Sequence, residues 1–116
     1  MKVSIITVCY NSGKTIEDTI RSVAQQTYSD IEYIVVDGMS SDATVEIVKR
    51  FQDASRGVVT KFLCEIDKGI YDAMNKGLML ATGDVVGILN SDDVFADAHV
   101  LKRVADAFSK HKVDAV

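Results

Sequence analysis

Apolar residues in this chain come either in short unbroken runs or at every third or fourth position, and the two patterns alternate. Val3-Ser4-Ile5-Ile6-Thr7-Val8-Cys9 is β-branched and nearly continuous in apolar character, which predicts a strand buried on both faces. Asn11-Ser12-Gly13 breaks the run. From Thr15 to Gln26, Ile16, Ile20 and Val23 fall at helical spacing, with Ser12 or Gly13 near the N-cap. Ile31 to Val36 predicts a second strand, ending at Asp37-Gly38. Ser40-Ser41-Asp42 then offers N-cap chemistry to a helix over Ala43 to Phe51. A third strand is expected from Val58 to Cys64 and a third helix from Gly69 to Ala81, with Thr82-Gly83 as its glycine stop. Asp84 to Leu89 predicts the fourth strand, Ala98 to Lys110 the fourth helix, and Val113 to Val116 the start of a fifth strand.

Such alternation implies an α/β fold of three layers, helix, sheet and helix, around a mostly parallel, Rossmann-like sheet. Parallel sheets bind ligands beyond the carboxyl ends of their strands, where the strand order reverses. The polar residues fall at those ends. Tyr10-Asn11 follows the first strand, Asp37-Gly38 the second, Glu65 and Asp67 the third, and Asn90-Ser91-Asp92-Asp93 the fourth.

The last tetrapeptide carries the sharpest chemistry. Two adjacent carboxylates at the end of a buried strand repel one another and resist desolvation. A hard divalent cation relieves both costs, since it takes oxygen ligands and supplies positive charge. The competing reading is a solvated turn before a helix, for which Asn, Ser and Asp are ordinary residues. The convergence of four polar clusters on one rim favours the metal. Asp37 suits a hydrogen-bond acceptor for a base N–H or a hydroxyl, or else an anchor for the helix after it. Lys68 suits a phosphate contact or a solvated surface charge, and Tyr10 a stacking platform or a core aromatic.

Bulk properties narrow the class. The 116 residues suit one domain, and 47% hydrophobic content is enough for a core. A net charge of -4, with 13 basic and 17 acidic residues, argues against a nucleic-acid partner. Cys9 and Cys64 lie in apolar segments without a CxxC pairing, so both read as small core residues in a reducing cytoplasm. No apolar run approaches the roughly 20 residues of a membrane span, which leaves peripheral membrane association open.

Taken in order, Val35-Val36-Asp37-Gly38-Met39-Ser40-Ser41-Asp42, Glu65-Ile66-Asp67-Lys68-Gly69-Ile70-Tyr71-Asp72-Ala73-Met74-Asn75-Lys76-Gly77 and Asn90-Ser91-Asp92-Asp93 resemble the family 2 glycosyltransferases. These are inverting enzymes of GT-A fold that use a nucleotide-sugar donor and usually Mn²⁺ or Mg²⁺. The third-helix motif resembles the bacterial branch that builds cell-surface polysaccharide. The resemblance implies that Val8, Cys9 and Tyr10 line the base, with Asn11 beside them, and that Asp37 and Gly38 belong to the base-reading motif. It implies further that Asp72, Met74 and Asn75 lie over the donor, that Asp92 meets the ribose or sugar, and that Asp93, with Asp92, holds the metal. Val8 stands where many relatives have proline, Gly38 where many have a second Asp, and Asn90 where an acid is common.

In such enzymes an acidic base deprotonates the acceptor, a carbohydrate or a lipid-linked sugar, from a part of the chain beyond the metal motif. No residue here is assignable to that task. The expectation is therefore that residues 1–116 are the donor-binding part, with a sheet cut short after four or five strands and an open edge on which two copies could pair. A non-catalytic nucleotide-binding or interaction module of the same fold is the alternative. A nucleotidyltransferase is a third reading, weakened by the single glycine and single lysine of Asn11-Ser12-Gly13-Lys14.

Overall fold

The computed structural model describes residues 1–53 and 57–111. The elements run β1 (Val3–Cys9), α1 (Ile16–Ala24), β2 (Ile31–Asp37), α2 (Thr44–Asp53), β3 (Lys61–Cys64), α3 (Ile70–Leu80), β4 (Val85–Ile88) and α4 (Val100–His111). The fifth strand expected at Val113 to Val116 lies outside the described residues. All four strands are parallel, in the order β3-β2-β1-β4. The chain thus winds outward from β1 through β2 to β3, then crosses to the other flank of β1. That reversal lies between β1 and β4.

The period of two along each strand sorts the core into two faces. Val3, Ile5, Cys9, Tyr33 and Val35 pack with Ile16 and Ile20 of α1, Ile47 and Val48 of α2, and Leu101 of α4. Ile6, Ile34 and Val36 point the other way and meet Ala73 of α3. The three layers expected from the sequence are present. Burial of Ile6, Ile34 and Val36, each 0% exposed, stabilises the sheet by about 1.5–3 kcal/mol per side chain.

Local boundaries differ from the sequence pattern for identifiable reasons. β3 starts at Lys61 rather than Val58, because the Val59 N–H donates to the Phe51 carbonyl instead of joining the ladder. α1 starts at Ile16, since the Thr15 and Ile16 N–H groups share the Ser12 carbonyl in a preceding turn. Gly83 is not a left-handed helix stop. It allows close approach: a Cβ there would stand 2.5 Å from Ser4 Oγ and 2.7 Å from Ser4 N. Cys9 is buried as expected, but Cys64 is exposed, because it ends the edge strand β3.

Two carboxylate side chains are buried among the described residues, Glu32 and Asp37. Glu32, 3% exposed, lies at the amino-terminal end of β2. It accepts hydrogen bonds from Ser4 Oγ (2.8 Å), Thr82 N (2.8 Å) and Thr82 Oγ1 (2.9 Å), and pairs with Lys61 (3.0 Å) and Lys2 (3.6 Å). Burial opposes its ionisation, but the Thr82 N–H, Lys61, Ser4 and the Thr82 hydroxyl outweigh that and hold its pKa at about 2. The Glu32 cluster fastens the α3–β4 connection to the first two strands.

Candidate functional site

The carboxyl ends of β1 and β4 open onto a cleft of about 620 Å³. Val8, Asn11 and Ser12 reach it from the end of β1, Lys14 and Thr15 from the approach to α1, and Asp42 from the approach to α2. Asn90, Ser91 and Asp92 close it from β4, and Ile70 from α3. The clusters after β1 and β4 thus meet at the reversal of strand order, whereas Asp37 at the end of β2 and Glu65 after β3 do not line this cleft.

The loop after β1 owes its shape to the loop after β2. Asn11 has a φ of 48°, the left-handed region that Asn enters more readily than most residues. Its N–H donates to Ser40 Oγ (2.8 Å), while its Oδ1 accepts from Ser41 N (2.8 Å). The Ser12 N–H donates to Thr44 Oγ1 (2.8 Å) and the Gly13 N–H to Asp42 Oδ2 (3.0 Å). Hydrogen bonds from the Thr44 hydroxyl and N–H, and from the Gly13 N–H, hold the Asp42 carboxyl below the usual range. Ser12 Oγ and Ser91 Oγ, 2.9 Å apart, join the β1 and β4 ends.

A second hollow, of about 440 Å³, adjoins the cleft and is lined by Tyr10, Gly38, Met39, Ile66 and Asp67. Tyr10 is 63% exposed and is not a core aromatic. Gly38 lets the Asp67 side chain come close: a Cβ would stand 2.6 Å from Asp67 Oδ2 and 3.5 Å from Tyr10 Cδ1.

Asp37 is turned inward. It is 0% exposed, and in register it lies between Cys9 and Cys64. Its carboxylate accepts from Ser40 N (2.8 Å), from Ser40 Oγ, and from the Cys9 and Cys64 thiols at 3.4 Å each. Burial and then the Asp37 charge push the Cys9 thiol up. Burial and the bond to Asp37 do the same for Cys64. In this arrangement the carboxylate anchors the loop that supports Asn11.

Asp92 and Asp93 are exposed on the turn after β4. The Asp93 N–H donates to the Asn90 carbonyl (3.0 Å), and the Asn90 amide to Asp93 Oδ2 (3.3 Å). Among the described residues no group of three or more His, Cys, Asp or Glu side chains is arranged to hold a metal ion by itself. Two exposed carboxylates nonetheless present the oxygen donors that a hard divalent cation takes, with room for further ligands.

The third helix stands apart from the cleft except at Ile70. Asp72 accepts from the Lys68 N–H (2.9 Å) and pairs with Lys76 (3.4 Å), so it closes the first turn of α3. Asn75 is exposed on the outer face of that helix. Lys76 is committed to Glu65 (3.0 Å) and the Ile66 carbonyl (2.9 Å). The residue pattern singles out neither Thr15 nor Asp42 for the site. Their signal was position: each follows closely on a strand that ends at the same rim.

The parallel α/β architecture is that of the GT-A glycosyltransferases. The family model described as "Glycosyl transferase family 2" matches residues 4–116, and the chain belongs to that family of transferases. It is 34% identical over 116 residues to an uncharacterized glycosyltransferase of Nostoc sp., covering 100% of this chain and 35% of that protein. The crystal structure of S. aureus TarS 1-349 in complex with UDP-GlcNAc matches 97% of this chain and 32% of its own, with a TM-score of 0.86 and 30% identity. A mannosyltransferase from Pyrobaculum calidifontis in complex with GDP-Man and Mn²⁺ matches 93% of this chain and 32% of its own, with a TM-score of 0.85 and 26% identity. The chain thus spans about a third of the length of these relatives. No helix among the described residues is long and apolar enough to cross a membrane.

Proposed function

We propose that residues 1–116 form the donor-binding part of an inverting glycosyltransferase that takes a nucleotide-diphosphate sugar, in the first instance a UDP-sugar. The observation that carries this reading is the exposed pair Asp92 and Asp93 on the turn after β4, with Asp92 lining the cleft at the reversal of strand order. Asp93 and Asp92 would hold Mn²⁺ or Mg²⁺. The cation, when bound, neutralises charge on the departing diphosphate. Tyr10, Gly38 and the hollow beside them would take the base, with Val8 and Asn11 lining the path to the diphosphate. Lys14 supplies a positive charge to the same cleft. Asp37 would act through the loop it anchors, and Asp72 through the first turn of α3, which brings Ile70 to the cleft. The acceptor is proposed to be a carbohydrate or lipid-linked sugar in cell-surface polysaccharide synthesis, in the cytoplasm.

Titration calorimetry with UDP tests the donor reading. Binding is expected with Mn²⁺ present, abolished by EDTA, and reduced at least tenfold by Asp93→Asn. Binding that ignores both the metal and the substitution would sink the metal assignment. Retained Mn²⁺–UDP binding without sugar transfer by the whole protein would favour the non-catalytic module.

The edge of the sheet supports a separate proposal. Among the described residues β4 pairs only with β1, and an apolar groove of about 270 Å³ runs beside it under α4. Such an edge invites pairing between copies. Sedimentation that shows a monomer at all concentrations would refute it.

A further inference from the structure

Helix α1 carries polar residues that its amphipathic pattern would assign to solvent, yet several face the segment after β4. Thr15 Oγ1 donates to the Ser91 carbonyl (2.8 Å). Thr19, 0% exposed, places its hydroxyl 2.7 Å from the Asp93 carbonyl and 3.0 Å from that of Ser91. Ser22 Oγ accepts from the Phe95 N–H (3.2 Å). Beyond the helix, the Gln26 amide donates to the Asp97 carbonyl (2.7 Å) and accepts from the Leu101 N–H (3.0 Å). The spacing of Thr15, Thr19, Ser22 and Gln26 is a single helical stripe. Step by step it meets Ser91, Asp93, Phe95, Asp97 and Leu101. Backbone groups of the β4–α4 connection thus find partners on α1 that the irregular segment cannot give itself.

We propose that this stripe, with Thr19 at its centre, is a set of positioning residues that hold the Asp92-Asp93 turn in its ligand-binding shape. The Thr19 hydroxyl shares its one proton between the carbonyls of Ser91 and Asp93, the first just before the acidic pair and the second at its end. Fixing both peptide units fixes the backbone of the turn, and so the directions in which the two carboxylates leave it. A turn released from this grip samples other shapes, and affinity falls in proportion to the fraction that remains competent. The inference rests on the donor and metal reading above.

The test is Mn²⁺-dependent UDP binding by the full chain, read by calorimetry and by electron paramagnetic resonance of bound Mn²⁺. Thr19→Val keeps the shape of the side chain and removes the hydroxyl. It is expected to weaken Mn²⁺–UDP binding about fivefold or more, the scale of one or two lost hydrogen bonds, and to broaden the Mn²⁺ spectrum. Thr19→Ser is expected to restore both. Val59→Ala, in the core at the opposite end of the sheet, lowers stability without touching the turn and is expected to leave both unchanged. Thr15→Val, at an exposed position, repeats the test on the Ser91 carbonyl should the Thr19 variant not fold. If Asp93→Asn abolishes binding while Thr19→Val and Thr15→Val bind as the parent does, the positioning role is refuted and the metal reading stands. If the parent shows no Mn²⁺-dependent binding, both fall together.

Discussion

Replacing Glu32 with Gln removes one of the two buried carboxylates while keeping the side chain's size. The cost follows from the titration of the carboxylate. Its pKa is about 2 in the folded protein against 4.5 for an ordinary Glu. At 1.36 kcal/mol per pKa unit, that difference gives about 3 kcal/mol of stability at neutral pH. Its sign follows from proton binding. Between pH 4.5 and 2 the unfolded chain holds the proton and the folded chain does not, so stability rises with pH across this window. The contribution is complete above pH 4.5 and is lost as the pH falls through 2. In Glu32→Gln, the Thr82 N–H and Lys61 would face an amide that carries donors of its own. Urea unfolding at pH 7 is expected to show a loss of about 3 kcal/mol, or about 10 °C in thermal midpoint for a domain of this size. A series from pH 7 to pH 2.5 should show the gap between parent and variant narrowing at the acid end. Parallel curves across that range, or equal stability at pH 7, would refute the reasoning.

Gly83→Ala drives a Cβ into the Ser4 backbone. It is expected to cost about 2 kcal/mol in denaturant unfolding, whereas an ordinary helix-stop glycine would cost less. Tyr10→Ala is expected to change stability by no more than about 0.5 kcal/mol, since the ring is largely exposed. UDP affinity measured by calorimetry should fall about tenfold, the scale of one base–aromatic stack. Unchanged affinity would remove Tyr10 from the base site.

Much of the fold is legible in local pattern. Continuous β-branched runs against helical spacing gave the order of all eight described elements, because burial on both faces leaves different marks from burial on one stripe. The exceptions lie where a distant partner intervenes, as when Phe51 draws the Val59 N–H out of the sheet. The polar rim was legible too, since each strand ends in turn residues and acids. Which of those side chains open to the cleft was not. Asp37 and Asp92 look alike in sequence, both acidic and both after an apolar run. One sits in the middle of the sheet between two thiols, and the other on an exposed turn.

The sequence by itself therefore determined the α/β alternation, the acidic turn after β4 and the resemblance to a transferase family. These rest on residue type and short-range spacing. The tertiary structure decided the rest: that β4 lies against β1, that Asp92 thereby shares a cleft with Asn11 and Lys14, and that a stripe of α1 grips the turn. The physical reason is that strand order and helix docking are set by contacts between residues far apart in the chain. Many hydrogen bonds and buried surfaces decide those contacts together, and local periodicity carries no record of them.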